Sequence, residues 1–131
     1  MNKKRNIQIN NKVIQNIISK TNLIKLEVQD FKELLDKKAD IEIYDIVTET
    51  TKDTDRESSL RKELEKLNLQ DYKTVYFVIE TSNKYPLLVT ELRPISEFLS
   101  NIRYEEDISW GIGINDEQTR EISVTIICSK S

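Results

Sequence analysis

The alternation of hydrophobic and polar positions predicts four β-strands in this chain. One strand is predicted over 39–50, where Ile41 and Ile43 face inward, and a second over 74–80. The second is apolar on both faces, which is typical of a central strand. Two further strands are predicted near the end of the chain from two alternating sets of residues: Ile108, Trp110, Ile112 and Ile114, and then Ile122, Val124, Ile126 and Cys128.

Helical spacing of apolar residues predicts four helices, with the approximate ranges 10–20, 31–37, 54–67 and 92–103. The third is expected to begin with a capping box, in which the Thr54 hydroxyl accepts the backbone N–H of Glu57. Pro94 is expected in the first turn of the fourth helix, since a later position would kink it.

This order of elements predicts an α+β fold, namely a two-layer sandwich with a four-stranded mixed sheet and helices on one face. The short N-terminal helix and a loop precede the sandwich. The six-residue polar connection 115–120 would join the last two strands as a simple hairpin, although a connection of this length is not diagnostic of one.

The composition limits the kinds of catalytic and metal-binding site that the chain can form. The chain has 131 residues, no histidine and a single cysteine, so the usual general base, thiolate metal sites and an internal disulfide are excluded. The net charge of −3 with interspersed signs argues against a nucleic-acid partner, and Lys3-Lys4-Arg5 is interpreted as a solvated N-terminus. No apolar run approaches the roughly 20 residues of a membrane span, and no signal peptide opens the chain, which favours a cytoplasmic protein.

Several polar clusters have ordinary structural interpretations. Asp53 and Asp55 stand at a predicted helix N-terminus, and the acidic run 105–107 lacks metal-ligand spacing, so no metal is expected. Cys128 and Trp110 are predicted to be core residues. A face of small residues is either open to solvent or a docking surface for a partner; its members are Ser109, Gly111, Gly113, Ser123 and Thr125.

Two stretches near the end of the chain resemble a known family. Gly-Ile-Gly-Ile-Asn-Asp-Glu over 111–117, followed by Glu-Ile-Ser-Val-Thr-Ile-Ile over 121–127, resembles the closing strands of the C-terminal domain in the FtsZ/tubulin family of cell-division GTPases. The resemblance implies the strand order 1-4-2-3, in which the last strand inserts between the first and the second rather than forming a hairpin.

The stretch Leu-Ile-Lys-Leu-Glu-Val-Gln-Asp-Phe over 23–31 resembles the synergy loop of that family, usually Leu-Ile-Asn-x-Asp-Phe-Ala-Asp-Val. In those GTPases the loop enters the nucleotide site of the next subunit, and its acidic residues position the attacking water. The resemblance implies that Lys25, Glu27, Gln29 and Asp30 contact a partner, and that Glu27 and Asp30 act catalytically only in trans. From the residues alone, the alternative is that Asp30 caps a helix and Glu27 is solvated.

The resemblance implies a single domain over 1–131. Within it, 1–22 corresponds to the end of a central helix, 23–38 to the synergy loop and a helix, and 39–131 to the sandwich. The GTP-binding half has no counterpart in these residues, and two glycines cannot build a phosphate-cradling loop, so no cofactor is expected. The family's C-terminal tail has no counterpart either.

These observations lead to one preferred function and several alternatives. The preferred function is a non-catalytic protein–protein interaction or assembly module, whose partner is an FtsZ/tubulin-like GTPase or a second copy, and which modulates or caps filament assembly. The alternatives are a small-molecule-binding or structural domain of the same fold, and an excised domain of a larger FtsZ-like GTPase.

Overall fold

The computed structural model of the chain describes residues 2–48, 55–101 and 108–130. Within these ranges five strands form one mixed sheet in the order β1-β2-β5-β3-β4. The strands are β1 (Asn2–Gln8), β2 (Asp40–Val47), β3 (Thr74–Thr81), β4 (Ile108–Ile114) and β5 (Ser123–Ser129). Neighbouring strands are antiparallel, except that β3 and β4 run parallel. The α-helices are α1 (Asn11–Ser19), α2 (Lys32–Asp36), α3 (Arg56–Glu65) and α4 (Leu92–Ser100).

The N-terminal strand β1 makes the prediction of a four-stranded sheet wrong. The residues interpreted as a solvated basic start pair with β2 instead: Lys4 Nζ lies 3.4 Å from Glu42 Oε2, and Arg5 Nε lies 2.9 Å from Asp45 Oδ2. Hydrophobic alternation does not reveal this strand, because most of its side chains are polar. Backbone pairing and cross-strand ion pairs hold it in place.

Helices cover both faces of the sheet, so the prediction of two layers with helices on one face is also wrong. On one face, α3 and α4 pack against a cluster that includes Phe77 and Ile79 of β3. On the other face, α1 and α2 pack against Tyr76 and Val78 of the same strand. A strand that is apolar on both sides requires cover on both sides, because either face left in water would lose its hydrophobic stabilisation.

The last strand, β5, lies between β2 and β3, and β4 pairs with β3 at the far side of the sheet. The last two strands therefore do not form a hairpin. Their connection instead crosses the end of β3, where Asn115 N donates to Thr81 O at 2.9 Å and Gln118 Nε2 donates to Glu80 O at 3.2 Å. These two bonds fix the path that carries the chain over β3.

Helix α3 begins at a cap one residue later than predicted. The carboxylate of Asp55 accepts the backbone N–H of Ser58 at 2.6 Å, and this bond lowers the pKa of Asp55. Thr54, the predicted cap, lies outside the described residues, as do Asp53, the acidic run 105–107 and the predicted helix end at Arg103. Pro94 lies in the first turn of α4, as its missing N–H requires.

Arg56 joins three connections at one end of the sheet. Its guanidinium donates to both carboxylate oxygens of Glu91, with Nε–Oε2 at 2.7 Å and Nη2–Oε1 at 2.6 Å. It also donates to the backbone carbonyls of Tyr85, Pro86 and Arg120 at 2.8 to 3.0 Å. Both members of the ion pair are largely buried, with 15% and 6% of the side chains of Arg56 and Glu91 exposed. This pair fixes the loop before α4 against the start of α3.

Candidate functional site

The segment over 22–31, named the edge loop here, runs along the outer edge of β4. The backbone N–H groups of Leu23 and Ile24 both donate to Ile112 O at 2.9 Å, and Ile112 N donates to Ile24 O at 2.9 Å. The amide side chain of Asn22 continues this pairing like a strand residue, because it donates to Ile114 O at 3.0 Å and accepts from Ile114 N at 2.7 Å. The loop thereby satisfies backbone groups that an edge strand would otherwise leave unpaired.

Two glycines of β4 allow the chain to approach this closely. A Cβ at Gly113 would lie 1.7 Å from the carbonyl oxygen of Lys20, and a Cβ at Gly111 would lie 2.3 Å from Cγ2 of Thr21. The turn after α1 therefore occupies the space above these two residues. The small-residue face at the two glycines is neither open to solvent nor free for a partner, because the chain's own residues cover it.

The distal half of the edge loop is fixed to the sheet by a second set of contacts. Leu26 is buried, and its N–H donates to Thr21 Oγ1 at 3.1 Å. Fully buried Phe31 stacks on the ring of Tyr76, with the centroids 4.3 Å apart. The hydroxyl of Tyr76 donates to the carbonyl of Asp30 at 2.7 Å. Both halves of the loop thus have defined anchors in the core.

Replacing Tyr76 with phenylalanine is expected to lower the free energy of unfolding by about 1 kcal/mol, because the Asp30 carbonyl loses its donor. Burial, with smaller contributions from the charges of Asp30 and Glu33, raises the pKa of Tyr76 from 10.0 to about 12. The stability that this raised pKa contributes is present below pH 10 and is lost as the pH rises through about 12. Alkaline denaturation followed by circular dichroism should show a smaller loss over that interval in the variant.

The control is Tyr85→Phe, since 36% of Tyr85 is exposed. This change is expected to leave both the stability at neutral pH and the alkaline transition nearly unchanged. An alkaline transition of Tyr76→Phe identical to that of the unmodified protein would contradict the anchoring role of the hydroxyl.

The four predicted partner-contacting residues, Lys25, Glu27, Gln29 and Asp30, are all exposed on the edge loop. Glu27 precedes a 3₁₀ turn over 28–31, and Asp30 Oδ2 accepts the backbone N–H of Glu27 at 2.7 Å. Asp30 N in turn donates to Glu27 O at 3.0 Å. The Asp30 carboxylate therefore makes a local capping bond. This resembles the alternative in which Asp30 caps a helix, except that Asp30 bonds back to the start of its own turn and does not occupy a helix N-cap.

Three apolar residues of the edge loop are also exposed, and sequence reasoning did not assign them to the site. Leu23 is 63% exposed, Ile24 51% and Val28 43%. These three residues follow neither the helical nor the strand spacing of apolar residues, although they lie in a polar segment. That mismatch was the signal in the sequence that could have identified them. Leu26 and Phe31 of the same stretch are buried, so only contacts in the fold separate the inward residues from the outward ones.

A metal site, a reactive thiol and a membrane-spanning helix are the other features that would indicate a function. Over 2–48, 55–101 and 108–130, no group of three or more acidic or thiol side chains is placed to hold a metal ion. Burial raises the pKa of Cys128 to about 12, so its thiol is protonated at neutral pH and sits within the core. The part of the chain that the structure describes contains no helix both long and apolar enough to cross a membrane.

Comparison with known proteins identifies the fold. No protein-family model matches the chain, and no curated protein matches its sequence. A solved structure described as an empty FtsZ dimer from M. jannaschii is similar in three dimensions, with a TM-score of 0.59 at 14% sequence identity. The match covers 88% of this chain and 34% of that chain, so this chain spans about a third of the FtsZ chain it matches. The likeness shows that the chain has an FtsZ-like α+β fold.

Proposed function

We propose that this chain is a non-catalytic protein–protein interaction module that binds its partner through the edge loop. The observation that carries the proposal is the exposure of Leu23, Ile24 and Val28 on a backbone that hydrogen bonds and buried anchors hold in place. Single exposed apolar side chains are ordinary on protein surfaces, but several on one ordered segment are typical of a surface that a partner covers.

The fixed backbone favours binding. A loop that is already ordered loses little conformational entropy when a partner docks, so more of the contact energy appears as affinity. The edge loop has this property because Asn22, Leu26 and Phe31 are anchored at its start, middle and end. The exposed residues between these anchors are therefore presented in one arrangement.

The polar residues of the loop suit the rim of such an interface. Lys25, Glu27 and Asp30 carry charges of both signs beside the apolar residues, and rim charges of this kind set orientation and partner choice more than affinity. The partner is proposed to be an FtsZ/tubulin-like GTPase or a second copy of the chain. The FtsZ-like fold supports this choice, as does the description of the similar structure as an FtsZ dimer.

The chain is proposed to act on assembly, either by modulating filament growth or by capping a filament end. Such a role requires an interaction surface and no nucleotide site of its own. Where the partner is a GTPase, Glu27 and Asp30 would lie at the contact, and the conservative changes Glu27→Gln and Asp30→Asn test whether they assist hydrolysis in trans.

The test is light scattering of GTP-driven assembly of a full-length FtsZ from the same organism, with and without this chain. The variant Leu23→Ser/Ile24→Ser is expected to abolish the change in assembly, because it removes the apolar centre of the proposed contact. The matched control is Leu88→Ser/Val89→Ser, since these side chains are 54% and 85% exposed on a different loop. The control variant is expected to act like the unmodified chain.

Sedimentation of the chain alone tests the second partner. A concentration-dependent dimer that disappears in Leu23→Ser/Ile24→Ser, but persists in the control, would identify a second copy. If excess chain leaves assembly unchanged and remains a monomer, the proposed partners are wrong. If both variants weaken the effect equally, the edge loop is not the contact.

A further inference from the structure

The two outer edges of the sheet differ in whether another segment of the chain pairs with them. On β4, the chain's own edge loop pairs with the strand. On β1, the only strand that pairs within the described residues is β2, on its inner side. As far as residues 2–48, 55–101 and 108–130 show, the seven-residue strand β1 is therefore an open edge. Such an edge presents unpaired backbone groups that can accept an additional strand.

The hydrogen-bond pattern identifies which groups point outward. Ile9 N donates to Ala39 O at 2.9 Å, directly after β1, so this facing pair is a hydrogen-bonded one. Because antiparallel ladders alternate, the backbone N–H and C=O groups of odd-numbered residues point toward β2. Those of Lys4, Asn6 and Gln8 then point away from the sheet. Thr48 N donates to Ile122 O at 3.0 Å, which fits the same alternation on β2.

The side chains beside this edge are basic. β1 itself carries Lys3, Lys4 and Arg5 and no acidic residue. A groove of about 560 Å³ lies between α1 and the face of the sheet over β1, β2 and β5, and its charged lining residues are Arg5, Lys12 and Lys20. An added strand would have Lys3, Lys4 and Arg5 of β1 as its immediate neighbours.

The carboxylates that partner the basic residues lie on the far side of β1. Glu42 and Asp45 belong to β2, where they pair with Lys4 and Arg5. Strands are spaced about 5 Å apart, so the backbone of an added strand would lie about 5 Å from that of β1 and about 10 Å from that of β2. The cationic groups of Lys4 and Arg5 lie 3.4 Å and 2.9 Å from these carboxylates, so an acidic strand would share the two cations with Glu42 and Asp45, and Lys3 is the third cation of β1.

Charge also decides the occupant. A second copy that paired through its own β1 would bring three more cations to the three already present, and the registers that place like charges opposite one another would be destabilised. A strand with acidic residues at alternate positions would place opposite charges there instead. We propose that β1 accepts an extended acidic segment of a partner protein as an additional strand of the sheet.

The probe is a synthetic peptide of about eight residues that alternates glutamate and valine, compared with the same peptide carrying lysine for glutamate. Binding is followed by fluorescence anisotropy and by amide hydrogen exchange. The acidic peptide is expected to bind and to slow the exchange of the Lys4, Asn6 and Gln8 amides, which face outward in the free protein. The lysine peptide is expected not to bind.

The decisive variant is Asn6→Pro. It removes one outward N–H without removing a bond to β2, and proline is tolerated on an edge strand when its position faces solvent. Binding of the acidic peptide is expected to weaken at least about tenfold in Asn6→Pro and to be retained in the control Asn6→Thr. Circular dichroism and thermal unfolding verify that both variants fold.

Several outcomes would overturn the proposal. These are no binding of the acidic peptide at about millimolar concentration, binding that Asn6→Pro does not change, and dimerisation of the chain through β1. Binding that is insensitive to Asn6→Pro would mark charge attraction without strand addition. Because β1 and the edge loop lie at opposite edges of the sheet, Leu23→Ser/Ile24→Ser should leave peptide binding unchanged, which separates this test from that of the proposed function.

Discussion

Replacing Arg56 with methionine is expected to lower the free energy of unfolding by about 3–5 kcal/mol, since the change leaves a buried charge without its partner. Only 6% of the Glu91 side chain is exposed, and its remaining bond would be from Leu88 N, at 2.8 Å. Three backbone carbonyls, those of Tyr85, Pro86 and Arg120, would also lose their donor. Urea denaturation followed by circular dichroism measures the effect.

The matched control is Arg61→Met, in the same helix. Arg61 pairs with Glu57 and Glu97, but its side chain is 37% exposed and that of Glu97 is 53% exposed. Surface pairs of this kind contribute at most about 1 kcal/mol, so the control is expected to change little. Arg56→Met/Glu91→Leu, which removes both charges, should recover part of the loss. A loss below 1 kcal/mol in Arg56→Met would show that this ion pair does not hold the connections together.

Replacing Gly113 with alanine is expected to lower the free energy of unfolding by about 3 kcal/mol, because there is no room for a Cβ. The nearest atom would be a backbone oxygen, Lys20 O, at 1.7 Å, and the chain after α1 would have to move away. That movement would break the bonds between Asn22 and Ile114. No glycine among the described residues has a positive φ, so the expected effect arises from space and not from backbone conformation.

Gly111→Ala is the comparison for this prediction. There the nearest atom is Cγ2 of Thr21 at 2.3 Å, so the change would displace a side chain and disturb its bond from Leu26 N, whereas Gly113→Ala would displace the backbone. We expect a loss of about 1 kcal/mol. Hydrogen exchange of the Ile112 and Ile114 amides should accelerate in Gly113→Ala far more than in Gly111→Ala. Equal effects of the two changes would contradict the close approach of the turn to Gly113.

The close approach of the turn to Gly113 also affects the proposed function of the edge loop. If the edge loop is the partner contact, a variant that displaces the loop should lose the effect on FtsZ assembly together with its protected amides. Gly113→Ala changes no exposed side chain, because Gly113 is buried. Loss of the effect would therefore report on the arrangement of the loop rather than on the chemistry of its residues.

Much of the fold follows from local pattern. The stretch 74–80 is apolar on both faces, which predicts a central strand, and β3 is one, with strands on both sides. The apolar spacing of 10–20 predicts a helix, and α1 covers 11–19 with Asn10 accepting from Val13 N at 3.0 Å as its cap. Both features depend on neighbours within a few residues, which is the range over which a sequence pattern acts.

The strand β1 and the order of the sheet depend on partners far away in the chain. Lys4 and Arg5 are strand residues because β1 pairs with β2, where Tyr44 and Ile43 face them and Glu42 and Asp45 lie diagonally across. Their own pattern does not differ from that of a solvated terminus. The position of β5 between β2 and β3 likewise follows from long-range pairing, which no local rule supplied; the family resemblance implied it.

In the candidate site, too, some features follow from local sequence pattern and others from contacts between distant parts of the chain. The sequence by itself determined that 23–31 is a loop with charged and apolar residues, that Cys128 is inaccessible, and that an α+β sandwich forms. Only the tertiary structure decided which apolar residues of the loop are buried, because Leu26 and Phe31 find space in the core that Leu23, Ile24 and Val28 do not. It also decided that the glycine face is closed, since the atoms that fill it lie about 90 residues earlier in the chain. Alternation and spacing describe which way a side chain points, whereas burial depends on what distant part of the chain arrives to meet it.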